Sequence, residues 1–140
     1  MLGANRAVDW ITDQIAIGNF QDARNLPPGI HAVLCLIEDC CADRVDVDAV
    51  CVPLVDGPGN DFAAAREAVD FISEVVDEGR RILVHCHAGR SRSVVIVARY
   101  LMSSRSLTAK QALELLASKR EGYLSSGIEE LLLGQRTRIR

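Results

Sequence analysis

Short apolar segments alternate with longer amphipathic segments along this chain, and this alternation limits the possible folds more than any other feature of the sequence. Ala32–Glu38 (AVLCLIE) is an apolar run of strand length, as expected for a strand that is covered on both faces. In Phe62–Asp77 the apolar residues recur at spacings of three and four, which predicts one buried helical stripe. The alternation predicts an α/β fold with a mainly parallel central sheet of four to five strands flanked by helices.

The boundaries of the predicted elements come from the same periodicities and from capping and turn residues. The predicted strands are Trp10–Ile11, Ile15–Ile17, Ala32–Glu38, Val50–Leu54 and Arg81–His85. The predicted helices are Gln21–Leu26, Phe62–Asp77, a helix from Ser91, a helix from Thr108 to about Lys119, and Ser126–Leu133. Two local signals support these starts: Asp61 is placed to cap the second helix, and Thr108 with Gln111 forms a capping box.

Composition excludes several classes of protein. The 140 residues are 49% hydrophobic and 25% charged, which suits one globular domain over residues 1–140. No apolar run approaches the ~20 residues that a membrane-spanning helix needs. A formal net charge of -3 offers no general attraction to nucleic acid or to an anionic membrane. We therefore expect a cytoplasmic protein with no nucleic-acid partner and no stable membrane association, and we take a monomer as the expectation.

The five cysteines are an odd number and lack the spacing of zinc ligands. A secreted disulfide framework and a metal site are therefore not expected. Cys35 and Cys51 lie in predicted strands, where we expect them to be core residues. Cys40 and Cys41 lie in a polar loop, where we expect incidental thiols.

The segment His85–Ser93 (HCHAGRSRS) lies where a predicted strand ends and a predicted helix begins. A loop in that position directs its backbone N–H groups inward, and the following helix adds its positive N-terminal end. Gly89 permits a tight backbone approach, and Arg92 supplies a planar fork that can hold two phosphate oxygens. These features predict a phosphate-binding loop.

Cys86 lies at the mouth of this loop. Amide dipoles and a helix N-terminus can lower the pKa of a thiol to roughly 3.5–7.5, so we expect a thiolate that acts as a nucleophile. Arg92 lies at the other end of the loop, where it would hold the equatorial phosphate oxygens while sulfur faces phosphorus. His87 and Arg90 are expected to project toward the rim of the pocket and to make that rim basic.

These residues resemble the signature of the cysteine-dependent protein tyrosine phosphatases, HCxxGxxR followed by Ser or Thr, and every fixed position is filled. The similarity to the dual-specificity subgroup extends over nearly the whole chain, through ITDQIAIGNFQDARNL, VLCLIE, VPLVDGPGND, RSVVIVARYLM and LTAKQALELLASKR. One segment departs from the pattern: EGYLSSGIEELL lacks the usual Pro-Asn before the last helix. The resemblance implies the strand, phosphate loop and helix arrangement of that family.

The resemblance also implies roles for the loop residues. Cys86 would form a cysteinyl-phosphate, Arg92 would bind the phosphoryl group, and Ser93 would donate a hydrogen bond to the sulfur. His85 would tune the thiolate from behind. The substrate phosphate would lie against the residues between the nucleophile and the helix, His87, Ala88, Gly89, Arg90, Ser91 and Arg92.

The leaving oxygen needs a proton donor, because its expulsion from serine without a proton would be very slow. Asp56 lies on a Gly/Pro loop after a predicted strand, where the family places its general acid. The same carboxylate would then activate the water that hydrolyses the intermediate. Asp61 is the alternative acid, although its position favours the role of helix cap.

The resemblance therefore implies a metal-independent phosphomonoester hydrolase without a cofactor, acting on phosphotyrosine in a phosphoprotein or phosphopeptide. Phosphoserine and phosphothreonine are further candidate substrates. Three alternatives stay open at this point. The basic rim fits a phosphatase for phosphoinositides or other polyanionic phosphates. A loop cysteine beside an anion cradle also fits a rhodanese-like sulfurtransferase, and the fold family includes phosphate-binding modules without activity.

Overall fold

The computed structural model of this chain describes residues 8–38 and 46–137. Five strands and five helices are assigned within those ranges. The strands are β1 (Asp9–Trp10), β2 (Ile15–Gly18), β3 (Ala32–Cys35), β4 (Asp48–Cys51) and β5 (Ile82–His85). The helices are α1 (Phe20–Arg24), α2 (Phe62–Asp77), α3 (Arg92–Ser104), α4 (Ala109–Ala117) and α5 (Glu130–Thr137).

The strands form one sheet in the order β1-β2-β5-β3-β4. β1 pairs with β2 in the antiparallel direction, and the remaining neighbours are parallel. This arrangement confirms the predicted α/β fold with a mainly parallel sheet. The innermost strands are fully buried, which explains why β3 and β5 are continuous apolar runs instead of alternating patterns.

The register of the parallel strands decides where the chemistry lies. His85 at the end of β5 pairs with Gly18 at the end of β2 and with Cys35 at the end of β3. The carboxyl ends of the three strands therefore share one edge of the sheet. The segments that follow them, which begin at Asn19, Leu36 and Cys86, meet at that edge.

α1, α2 and α3 contact the sheet, whereas α4 packs on α3 and α5 packs on α3 and α2. α2 has the predicted bounds, and its buried positions are Ala65, Ala68, Val69, Phe71, Ile72 and Val75. α3 runs through the interior, with most of its residues buried. Burial of one Val, Ile or Phe side chain contributes about 1.5–3 kcal/mol to the free energy of unfolding. These two helices therefore contribute much of the apolar stabilisation.

Both predicted caps are present. The Asp61 side chain accepts a hydrogen bond from the backbone N–H of Ala63 at 2.9 Å. Thr108 and Gln111 form the complete capping box at the start of α4. A third cap was not predicted from the sequence: Asn19 and Asp22 form a capping box at α1, so this helix begins at Phe20 instead of Gln21.

Several predicted boundaries were wrong. β3 ends at Cys35 instead of Glu38, because the strand ladder ends there although the chain stays apolar. β4 begins and ends earlier than the predicted Val50–Leu54, although the Leu54 N–H still donates to the Leu36 carbonyl at 3.0 Å. The last helix begins at Glu130, and the predicted first turn at Ser126 belongs to the preceding turns.

The cysteine predictions are confirmed in part. Cys35 is buried, as expected of a core residue, whereas Cys51 is only half-buried. Cys40 and Cys41 lie outside the described residues. Within residues 8–38 and 46–137, no helix has both the length and the apolarity needed to cross a bilayer.

Candidate active site

The loop between β5 and α3 has a conformation that only glycine permits at its centre. Gly89 has φ of 71°, in the left-handed region that favours glycine. A Cβ atom at Gly89 would overlap the backbone carbonyl oxygen of Gly18, and it would lie 2.7 Å from Nη2 of Arg120. The loop therefore passes close to the end of β2 without room for a side chain.

Cys86 occupies the floor of the loop and is 2% exposed. The Ser93 hydroxyl donates a hydrogen bond to the Cys86 sulfur at 2.9 Å. Burial alone would raise the pKa of the thiol. The Ser93 hydroxyl and the backbone N–H groups of Ser93, Gly89 and Ser91 outweigh burial and lower the pKa of Cys86 below its ordinary value. The loop therefore favours a thiolate.

This environment predicts how the thiol reacts with iodoacetate. Because the hydrogen bonds stabilise the anion, the thiolate persists at lower pH, and alkylation of Cys86 is expected to have its midpoint below that of a free cysteine. The measurement is the alkylation rate across pH, with the modified residue located by peptide mapping. Cys86→Ser supplies the background from the other thiols. A midpoint at or above that of a free cysteine would contradict the prediction.

Arg92 lies at the far end of the loop and is half-buried. Its Nη1 donates to the backbone carbonyl of Leu54 at 3.3 Å. Its Nε is buried, and no acceptor for it exists among the described residues. A buried donor without a partner costs about 1–3 kcal/mol. An oxyanion held in the loop would supply the acceptor, so the guanidinium is poised for such a ligand.

Asp56 lies on the loop between β4 and α2 and faces the phosphate loop. The Ser91 hydroxyl donates to its Oδ1 at 2.6 Å, and the Ser125 hydroxyl donates to its Oδ2 at 2.8 Å. The backbone N–H of Ser125 donates to the Ser91 hydroxyl at 3.0 Å. Ser91 therefore holds the carboxylate with its side chain while its backbone N–H faces the Cys86 sulfur.

The structure separates the two candidate acids. Asp56 and Cys86 line the same cavity of about 360 Å³. Asp61 lines neither this cavity nor the one beside it, and its carboxylate caps α2. The geometry therefore brings Asp56, and not Asp61, to the candidate nucleophile.

His85 lies behind the loop and is buried. Its Nδ1 is 3.2 Å from the backbone carbonyl oxygen of Cys86. Burial lowers the pKa of His85, against smaller opposing effects of the Cys86 carbonyl and of Asp22. The neutral imidazole therefore contacts the backbone of the nucleophile instead of its sulfur.

The rim of the loop contains the exposed residues His87, Ala88 and Arg90. The His87 ring stacks on the Phe20 ring, with centroids 5.4 Å apart and an interplanar angle of 12°. The guanidinium of Arg24 lies 5.3 Å from the Phe20 ring centroid. This aromatic pair forms one wall of the site.

A second cavity of about 460 Å³ adjoins the first. Asp56, His87 and Arg92 line both cavities. The other lining residues of the second cavity are Phe20, Ile37, Glu38, Leu54 and Val55. The walls of this second cavity are thus mixed. Phe20, Ile37, Leu54 and Val55 contribute apolar surface, and Glu38, Asp56, His87 and Arg92 contribute polar or charged groups.

Several residues of this site were not predicted from the sequence, among them Phe20, Arg120 and Ser125. Phe20, Arg120 and Ser125 contact the phosphate loop or Asp56 from distant parts of the chain. Ser125 lies in the segment that departs from the family pattern, and this departure was the only signal for it. Phe20 and Arg120 lie in segments that resemble the family, but no motif marked either one as a site residue.

Comparison with known proteins agrees with this geometry. Residues 21–133 match the family described as dual specificity phosphatase, catalytic domain. Dual specificity protein phosphatase 12 of Rattus norvegicus is 41% identical over 80 residues, which are 56% of this chain and 24% of that protein. Dual specificity protein phosphatase 1 of Arabidopsis thaliana is 52% identical over 54 residues, which are 39% of this chain and 27% of that protein.

Among solved structures, Tk-PTP in its active form superposes with a TM-score of 0.82 and 25% identity, over 95% of this chain and 98% of that chain. The chain spans about a quarter of the length of the curated relatives it matches. The match to the catalytic-domain family, by contrast, covers β3, β4 and β5, the phosphate loop and the helices α2, α3 and α4. The chain belongs to the dual specificity phosphatase family.

Proposed function

We propose that this chain hydrolyses phosphomonoesters on proteins, with phosphotyrosine as the preferred substrate, through a cysteinyl-phosphate on Cys86. One observation carries the proposal. The Cys86 sulfur accepts hydrogen bonds from a hydroxyl and from backbone N–H groups, and it shares a cavity with Asp56 and Arg92. A nucleophile, a proton donor and an oxyanion ligand therefore meet in one place.

In the first step the Cys86 thiolate attacks phosphorus, and the bond from phosphorus to the ester oxygen breaks. Asp56 gives its proton to that oxygen, so the product alcohol or phenol leaves neutral. The inward N–H groups of the loop and the guanidinium of Arg92 stabilise the charge on the equatorial oxygens. The Nε of Arg92, for which the described residues supply no acceptor, would hydrogen-bond to a phosphoryl oxygen.

In the second step water attacks the phosphorus of the cysteinyl-phosphate and the phosphorus–sulfur bond breaks. The Asp56 carboxylate takes a proton from the water, which returns the acid to its starting form. The departing sulfur is again a thiolate, and the Ser93 hydroxyl at 2.9 Å stabilises it. Inorganic phosphate leaves the loop, and neither step needs a metal ion.

The second cavity favours a phosphoprotein over a polyanionic phosphate. Its apolar side chains, those of Ile37, Leu54 and Val55, and the stacked Phe20–His87 pair suit an aromatic ring and neighbouring peptide side chains. The Glu38 carboxylate, which the mechanism does not use, repels further phosphate groups. The proton donor beside the loop also favours ester hydrolysis over sulfur transfer, and the presence of Cys86, Arg92 and Asp56 favours catalysis over mere phosphate binding.

A substrate panel tests this preference. We expect a phosphotyrosine peptide to have a kcat/KM about five- to tenfold above that of a phosphothreonine peptide, because an aromatic contact contributes about 1 kcal/mol. Inositol phosphates are expected to be the poorest substrates. Cys86→Ser protein purified in parallel controls for contaminating phosphatases. An inositol phosphate as the best substrate would contradict the proposal and favour the polyanion alternative.

The proposal also includes the setting in which the chain works. We take residues 1–140 as one catalytic domain, acting in the cytoplasm as a monomer on phosphoprotein partners. The family match over residues 21–133 supports the single domain, and the odd number of cysteines argues against a secreted disulfide framework.

A further inference from the structure

Arg120 follows α4 and reaches the outer side of the phosphate loop. Its Nε donates to the backbone carbonyl of Gly89 at 2.6 Å, and its Nη2 donates to that of Ala88 at 3.4 Å. Its Nη1 donates to the Ile17 carbonyl at 3.2 Å and to the Asp9 carboxylate at 2.9 Å. The side chain is 11% exposed. Arg120 therefore joins the first two strands to the loop.

These contacts lie on the opposite side of the peptide units from the sulfur. In a trans peptide the C=O and the following N–H point in opposite directions. The Ala88 carbonyl shares a peptide unit with the Gly89 N–H, which is one of the donors to the Cys86 sulfur. When Arg120 holds that carbonyl outward, the Gly89 N–H points inward. The Gly89 carbonyl orients the next N–H, that of Arg90, in the same way.

The neighbouring carbonyls of the loop are held by backbone groups. The N–H of Phe20 donates to the His87 carbonyl at 3.1 Å, and the N–H of Tyr123 donates to the Arg90 carbonyl at 2.9 Å. Each carbonyl from His87 to Arg90 thus has a donor on its outer side. In the middle of that run the donor is the Arg120 side chain, which mutation can remove.

We propose that Arg120 is a positioning residue of the phosphate loop. Its guanidinium fixes the carbonyls of Ala88 and Gly89, so that the N–H groups of Gly89 and Arg90, in the same peptide units, point toward the anion. The role of the loop in catalysis rests on the proposed function, but the thiol can be tested without any phosphate ester. Arg120 lies outside the cavity that contains Cys86, so it acts through the backbone. The planar fork matters because three carbonyls and a carboxylate must be reached at once, which a lysine ammonium cannot do.

The test compares Arg120→Met and Arg120→Lys in the full chain. The midpoint of Cys86 alkylation by iodoacetate is measured across pH, together with kcat/KM for an aryl phosphate. Both variants are expected to raise the midpoint by about one pH unit and to lower kcat/KM about 10- to 100-fold, as for other outer partners that orient a site. Arg105→Met, at an exposed position at the end of α3, is the matched control and is expected to keep the wild-type midpoint.

A folded Arg120→Met with the wild-type midpoint would overturn the proposal. A shift in Arg120→Met that is absent from Arg120→Lys would also overturn it, because the positive charge alone would then be sufficient. Should Arg120→Met fail to fold, Arg120→Lys and Asp9→Asn decide. Asp9→Asn weakens the anchor of the guanidinium and is expected to shift the midpoint in the same direction by less. If neither of these two variants shifts the alkylation midpoint, the proposal is wrong.

Failure of the Arg120 proposal can be distinguished from failure of the proposed function, because alkylation of Cys86 is measured without a phosphate ester. If the wild type hydrolyses no phosphate ester while its Cys86 is alkylated at low pH, the proposed function is wrong. The positioning role of Arg120 would still be decided by the shift in the alkylation midpoint.

Discussion

Cys86→Ser is expected to lower kcat for an aryl phosphate by on the order of 10⁴-fold or more, the scale found when a nucleophile is removed. A serine hydroxyl is not ionised near neutral pH, so the hydrogen bonds that stabilise the thiolate have no anion to act on. The loop backbone and Arg92 remain, and affinity for inorganic phosphate or tungstate is expected to stay within a fewfold of wild type. The measurements are steady-state turnover and competition with these anions.

Cys51→Ser provides the matched control for Cys86→Ser. Cys51 is half-buried on β4, where its thiol donates to the Ile37 carbonyl, and it lines neither cavity. This variant is expected to retain wild-type turnover. Near-wild-type turnover by Cys86→Ser itself would show that another group attacks phosphorus, and the proposed mechanism would be wrong.

Asp56→Asn is expected to have the second-largest effect, and its size depends on the leaving group. An amide can still accept a hydrogen bond from Ser91 or Ser125, but it has no acidic proton to give. We expect kcat to fall about 10²- to 10⁴-fold for an alkyl phosphate such as phosphoserine, the usual range for general acid catalysis. An aryl phosphate with a good leaving group is expected to lose much less.

The pH profile gives the same test in a second form. In the wild type the acid must be protonated, so the rate falls as pH rises, and Asp56→Asn is expected to remove that fall. Ser125→Ala keeps the acid but removes one of its two side-chain donors, and we expect a smaller loss with the same dependence on the leaving group.

Asp61→Asn is the control for the choice of acid. Asparagine caps a helix about as well as aspartate, so this variant makes the same chemical change while leaving α2 intact. It is expected to keep both the wild-type rate and the wild-type pH profile. If Asp61→Asn lost the fall in rate at high pH and Asp56→Asn retained that fall, the general acid would be Asp61.

The parts of the fold that could be predicted are those set by neighbours in sequence. The bounds of α2 and the caps at Asp61 and Thr108 depend on residues within four positions of each other, and all were predicted correctly. The middle of the predicted stripe of α2 is buried, whereas Phe62 at its start is 37% exposed. The end of β5 at His85 was predicted, but the end of β3 was not, because the apolar chain continues past its last ladder pair. β3 shows this, since Leu36 and Ile37 are buried beyond the end of the strand.

The site likewise has features that lie within one short segment and features that only packing brings together. The loop from His85 to Ser93 is contiguous, and its N–H donors, its glycine and its arginine all belong to one short segment, so the sequence alone determined an anion cradle around a cysteine. Tertiary structure decided what orients that cradle and which acid faces it. Ser125, Arg120 and the Asp56 loop are distant from it in sequence, and strand order and register bring them within hydrogen-bonding distance. Local patterns record which residues share a helix or loop, but packing of the layers determines which loops meet.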